Sequence, residues 1–154
     1  MSDSKYLIPS CIQNICDQTR YSRWLQAKAS AHVRRDKKRN HNARLSVAGY
    51  KARIHEAVNT GGDSDYYTGE LLDWSLISQF RNDKAKAGGV KYKKKFALLP
   101  TVDHTLDRTG RAKFVICSWR TNDAKSDMTL EEFWNLCTLV LRNRTRLQAI
   151  ERSQ

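Results

Sequence analysis

The strongest local signal in this chain is Thr129-Leu-Glu-Glu132. A hydroxyl residue followed three places later by Glu is a capping box. The hydroxyl satisfies an orphan N–H of the first helical turn, and the carboxylate reaches back to the cap. Leu130, Phe133, Trp134, Cys137, Val140 and Leu141 follow at helical spacing. The sequence therefore predicts an amphipathic helix whose apolar face lies in the core. Met128 and Phe133 are placed as a hydrophobic staple. Arg142, Arg144, Arg146 and Arg152 give it a basic C-terminal end.

The same periodicity starts near Arg20. Tyr21, Trp24 and Leu25, continued by Lys28, Ala31 and His32, predict a helix through Arg39. Its last turns carry Arg34, Arg35, Lys37, Lys38 and Arg39, and Asp36 is the only acid between Arg20 and Arg53. A break is expected at Asn40-His41-Asn42. Val47, Tyr50, Ile54, Ala57 and Val58 predict a second helix, capped by Ser46 and ending before the turn formers Asn59 to Asp63. Leu7-Ile-Pro9, Ile12 and Ile15 suggest an ordered lead-in to these helices.

Thr68-Gly69 suits a tight turn. Asp73 is a cap for a short helix with Trp74, Ile77 and Phe80 facing inward. Arg81 to Gly89 reads as a loop. Val90 to Lys95 reads as a strand exposing Lys91, Lys93, Lys94 and Lys95, and it leads into Phe96-Ala-Leu-Leu99. His32, His41 and His55 have no ligand partner in the pattern and read as structural or exposed.

There are 28 Lys and Arg against 16 Asp and Glu, a formal net charge of +12. That balance points to a polyanionic partner, most often nucleic acid. The clustered cations would grip phosphates, and binding would weaken steeply with salt. No apolar run approaches the roughly 18 residues of a spanning helix, and the N-terminus lacks a secretory core. A soluble, cytoplasmic protein with no membrane partner is the expectation. No cysteine pair has C-x-x-C spacing. Cys117 and Cys137 read as small core residues in a reducing compartment, and Cys11 and Cys16 are too sparse for a metal site. The length fits one globule, with a basic helical region over 1–62 and a site-bearing unit over 63–154.

The chemistry concentrates in Pro100-Thr-Val-Asp103-His104 and Trp119-Arg-Thr-Asn122-Asp-Ala-Lys125-Ser-Asp127. The order is strand, polar loop, apolar strand Phe114-Val-Ile-Cys117, then helix. Asp103 offers a carboxylate and Asn122 a carbonyl oxygen, which suit a hard cation such as Mg²⁺ or Mn²⁺. In a regular strand His104 points away from Asp103. It is therefore placed to act as general base, with an ordinary pKa near neutrality. Lys125, one turn after Asn122, would stabilise charge on a phosphate. Asp107 and Asp127 are both candidates for a supporting hydrogen bond to this set.

Val102-Asp-His104, Phe114-Val-Ile-Cys117 and Thr121-Asn-Asp-Ala-Lys-Ser-Asp127 together resemble the HNH nuclease family, whose shared unit is the ββα-metal finger. The terminal segment is similar to that family's N-x-x-K-x-D, and Tyr67-Thr-Gly-Glu70-x-Leu72 to an element that often precedes the finger. The likeness covers about the C-terminal half of the chain. It implies Asp103 and Asn122 as metal ligands and His104 as general base. The family's middle Asn, which orients the histidine, falls at Lys113 here. Its zinc-binding C-x-x-C positions hold Ser118, Thr121 and Tyr66, so no structural zinc is expected. Tyr66, Tyr67, Trp74 and Trp119 are candidate replacements.

The expected fold is α+β, a mainly helical N-terminal region packed on a C-terminal HNH-like ββα unit. The expected function is metal-dependent hydrolysis of DNA phosphodiesters, most simply in duplex DNA gripped by residues 20–60 and Lys91–Lys95. The alternative is a catalytically inactive nucleic-acid-binding protein on the same scaffold, which Lys113 favours. A homodimer is an option, since one finger cuts one strand.

Overall fold

The computed structural model describes residues 5–39, 46–104 and 113–153. The architecture is α+β and mostly helical, with one two-stranded antiparallel sheet among the described residues. The chain divides into two compact units, Met1–Ala124 and Lys125–Gln154. No described helix is long and apolar enough to cross a membrane.

The first unit is built on two packed helices, α1 (Gln18–Arg39) and α2 (Val47–Gly61). Ser46 caps α2 as expected, accepting a hydrogen bond from the Gly49 N–H. The helix continues to Gly61, past the expected stop at Asn59, because Gly62 serves as its C-cap and its N–H bonds to the Val58 carbonyl. Ahead of α1, Ile12 and Cys16 are buried, whereas Leu7 and Ile15 are exposed. The core gathers Tyr21, Trp24, Leu25, Ile54, Trp74 and Ile116. Trp74 opens a single 3₁₀ turn, Trp74–Leu76, capped by the Asp73 carboxylate. Its ring meets Trp24 edge-on at 4.9 Å, and its indole N–H donates to the Gly62 carbonyl. An aromatic NH buried this deeply needs such a partner.

Strands β1 (Pro100–His104) and β2 (Phe114–Ser118) pair with Val102 opposite Ile116 and His104 opposite Phe114. Both are buried along their whole length; β2 is an apolar run, whereas β1 buries Thr101, Asp103 and His104 as well as Val102. The helix α4 (Trp119–Lys125) begins on the residue after β2. The break at Asn40–Asn42 with His41, the polar loop and Asp107 lie outside the described residues.

Two expectations fail. Residues 82–94 form a helix, α3 (Asn82–Lys94), not a loop and a strand. Asp83 in its first turn and lysines in its last complement the helix dipole. Gly89, with φ of 53°, kinks it at a conformation other residues resist. Tyr92 packs on Phe80 and Phe96, and Phe80 on Trp119, so the helical turn collects an aromatic cluster, whereas an extended strand would set Tyr92 and Phe96 about 13 Å apart.

The second failure is the apolar face near the C-terminus. Helix α5 (Leu130–Arg142) has the full Thr129–Glu132 capping box, yet none of its residues is buried, and Cys137 is exposed. Its neighbour α6 (Arg144–Arg152) buries none either. The box and the spacing determine that a helix forms and which side is apolar. Burial also requires a facing surface, and a unit of this size cannot enclose one by itself.

Candidate functional site

One row of α1 sets the position of β1. Trp24, Lys28, His32 and Asp36 recur every fourth residue and therefore line one helix face. The Trp24 indole N–H donates to the Pro100 carbonyl at 3.3 Å. The Lys28 ammonium donates to the Thr101 hydroxyl at 2.8 Å. His32 bonds to the Val102 backbone. The Asp36 carboxylate lies 3.7 Å from His104 Nε2. Four successive steps of the helix thus address residues 100, 101, 102 and 104 of the strand.

The last step encloses His104. Asp36 also accepts the Tyr50 hydroxyl of α2 at 2.7 Å. Phe114, opposite His104 in the sheet, meets the rings of His104, His32 and Tyr50 edge-on at 5.0–5.1 Å. Asp36, His32 and His104 are all buried. Burial pushes His32 down to about 3, with the positive charges of Arg35 and Lys28 adding to it, so the ring is neutral. The Arg35 guanidinium contacts its Nε2 at 3.1 Å. Burial, and then repulsion from Arg35, lowers the Lys28 ammonium to about 8. Burial and the hydrogen bond to Asp36 raise the Tyr50 hydroxyl, so it remains the donor.

Asp103 faces a different neighbourhood, as strand alternation requires. Its Oδ2 accepts the Tyr67 hydroxyl at 2.6 Å, and its Oδ1 accepts the His104 backbone N–H at 2.7 Å. Tyr67 is held by Asp65. One Asp65 oxygen accepts the N–H groups of Tyr67 and Thr68, and the other accepts the Ser118 N–H at 2.8 Å. Ser118 and Thr121 are hydrogen-bonded to each other through their hydroxyls at 2.9 Å. Burial alone would raise the Asp65 carboxyl, but hydrogen bonds from Ser118, Thr121 and Tyr67 outweigh it and leave the group below its ordinary value. Gly69, at φ of 74°, closes the turn, and its N–H returns to the Asp65 carbonyl.

Among the other sequence candidates, Asn122 is half-buried in the middle of α4, and Lys125 is buried at its last position. Lys113 is exposed at the entry to β2, and Phe114, not Lys113, lies opposite His104. Arg34, Arg35, Lys37, Lys38 and Arg39 are exposed at the end of α1. Lys91, Lys93, Lys94 and Lys95 are exposed on the last turn of α3 and just beyond it. His32 and His55 are structural: His55 Nδ1 lies 2.7 Å from the Tyr21 hydroxyl. Among the described residues no group of three or more His, Cys, Asp or Glu is gathered for a metal.

Sequence reasoning passed over Asp36, Tyr50 and Asp65. For Asp36 a signal existed. It is a lone acid in a basic helix, twelve residues after Trp24 and so on the inward row. No family model matches this chain, and no curated protein or solved structure matches it either.

Proposed function

We propose that the chain is a metal-dependent endonuclease that hydrolyses DNA phosphodiesters at a one-metal ββα site of HNH type. The observation that carries this reading is the course of residues 100–125. An antiparallel hairpin ends its first strand on Asp103-His104, and its second strand runs directly into the helix bearing Asn122. The two strand residues diverge, Asp103 to Tyr67 and His104 to Asp36, as separate ligand and base roles require.

Two further arrangements support it. Asp36 stands beside His104 where the family's orienting Asn is replaced by Lys113, so α1 takes over that duty from β2. The Asp65–Ser118–Thr121 hydrogen bonds tie the turn to the hairpin where relatives of that family use zinc-binding cysteines.

The donor set fits a hard cation. Asp103 and Asn122 offer oxygen ligands, and Mg²⁺ or Mn²⁺ held by few protein groups keeps several waters. Its two oxygens accept the Tyr67 hydroxyl and the His104 N–H, which fix the orientation of the Asp103 carboxylate. Bound there, the ion would polarise the scissile phosphate. His104 takes the proton of the attacking water, and the Asp36 carboxylate stabilises the imidazolium that results. Lys125, one turn beyond Asn122 on the same helix, balances developing charge. The cations of α1 and α3 hold the phosphate backbone.

A second reading, an inactive nucleic-acid-binding protein on this scaffold, is favoured by the burial of His104 against Phe114 and Asp36. A plasmid-nicking assay separates the two. Cleavage with Mg²⁺, abolished by EDTA and reduced by about 10²–10⁴-fold in His104→Ala, is the expected result. Undiminished cleavage in His104→Ala sinks the site. Salt-sensitive binding with no cleavage in any divalent ion establishes the second reading.

A further inference from the structure

A cleft of about 300 Å³ lies between α1 and the start of β1, at the other end of that strand from His104. Its volume is at the lower end of small-molecule sites, about 300–1,000 Å³. It is twice that of a cavity that holds benzene, roughly 150 Å³. Two adjoining rows of α1 line it, Arg23 with Ala27 and Trp24 with Lys28, each pair one helical turn apart. Leu99 and Pro100 line it from the strand, and Ser78 from the turn after Trp74. The edge at Ser78 is held in a costly shape. Ser78 has φ of 64°, a left-handed conformation that side chains rarely adopt. Arg20 secures that turn by donating to the Ser75 and Ile77 carbonyls at 2.7 and 2.6 Å. Strain fixed by its surroundings gathers at ligand sites.

Charge sets the class of ligand. Arg23 and Lys28 are the charged residues of the lining, and no acid is among them. Lys28 is half-buried, and its ammonium meets the neutral Thr101 hydroxyl, not a carboxylate. Its depressed value has burial as the first cause and the like charge of Arg35 as the second. A cation so placed favours a partner of opposite sign. Phosphate suits the lining less well, because phosphate sites draw on clustered backbone N–H groups. Here the Leu99 and Ile77 N–H groups are bonded to the Phe96 and Trp74 carbonyls. Pro100 has no N–H to offer. A single carboxylate matches the Lys28 charge, and the exposed Arg23 adds a forked donor. We propose that this cleft binds a small aromatic carboxylate, its ring against Trp24, Leu99 and Pro100 and its charge on Lys28 and Arg23. The inference does not depend on the nuclease reading.

Calorimetric titration of the full chain with 2-naphthoate tests it. Saturable binding at one site is expected, with the uncharged 2-naphthamide at least about tenfold weaker. Nitrogen-15 NMR shifts should gather at residues 23–28, 77–78 and 99–101. Lys28→Gln should narrow the acid-to-amide difference to under about threefold. Ala27→Phe, at an exposed helix position, should fill the cleft and weaken 2-naphthoate at least about tenfold, with circular dichroism unchanged. A chain that binds neither ligand at millimolar concentration overturns the proposal. So do equal wild-type affinities for acid and amide, a difference unmoved by Lys28→Gln, an affinity unmoved by Ala27→Phe, or displacement of 2-naphthoate by an equal concentration of inorganic phosphate.

Discussion

Helices α1 and α5 invert each other. The first is strongly polar, yet it buries Tyr21, Trp24, Leu25, Ala29, His32, Val33 and Asp36. The second has a broad apolar face and buries nothing. The difference lies in what each helix faces. α1 lies along β1 and offers a donor or acceptor at each step, so even His32 and Asp36 are satisfied inside the protein. Buried polar groups are tolerated when each is paired. α5 has area to bury and, within its own unit, no surface to bury it on. Amphipathicity therefore measures a helix's demand for a partner, and burial records whether one is present.

Two tryptophans test this contrast most severely. Trp74 is 0% exposed and Trp134 is 60% exposed. Trp74→Ala should cost about 3–5 kcal/mol in urea unfolding, from lost transfer energy and the cavity left between Trp24 and Tyr21. Trp134→Ala should change stability by less than about 0.5 kcal/mol. Comparable costs at the two sites would mean that α5 is not the exposed helix described here.

The row on α1 supplies the next test. Unfolded, His32 titrates near its ordinary 6.5. Folded, burial and then the charges of Arg35 and Lys28 depress it to about 3. Between those values the unfolded chain holds a proton that the folded chain excludes. Stability is therefore complete above 6.5 and falls as pH drops toward 3, by about 1.4 kcal/mol per unit once below 6.5. From pH 7 to pH 5 the loss should be about 2 kcal/mol. His55, lowered by burial, acts in the same direction. His32→Gln should flatten most of this slope in denaturant midpoints measured across the range. An unchanged slope would show that His32 is not the buried neutral group that joins α1 to β1.

These helices also show what could be read before any coordinates. The caps at Ser46, Asp73 and Thr129 were legible because the signal is local: a side chain meets backbone two or three residues away. The hairpin was legible because β2 is a short apolar run and β1 ends on an acid–histidine pair ahead of a polar loop. α3 was misread because lysines alternating with Val90 and Tyr92 fit an exposed strand as well as an exposed helix, and the aromatic cluster that decides between them is tertiary. Asp103, His104 and Asn122 were found as residue types in order. Their partners were not, because Asp36 lies 68 positions before His104, Tyr67 lies 36 before Asp103, and Asp65 lies 53 before Ser118. Contacts of that separation leave no mark in local periodicity.

The smallest effect belongs to the best local signal. Thr129 accepts the Glu132 N–H through its hydroxyl, and the Glu132 carboxylate accepts the Thr129 N–H at 2.7 Å. That backbone bond holds the Glu132 carboxyl below its ordinary value. Thr129→Ala should cost about 1 kcal/mol of helix stability, because it leaves one first-turn N–H to water. In α1 such a loss would be masked by the hydrogen bonds to β1. In α5 nothing within the unit compensates, so the loss should appear as fraying. Amide exchange at Glu131, Glu132 and Phe133 should quicken about fivefold, as 1 kcal/mol requires. Glu132→Gln, which keeps a carbonyl acceptor, should quicken it less. Exchange that is unaltered by Thr129→Ala would mean that α5 is held by packing, and the contrast with α1 would disappear.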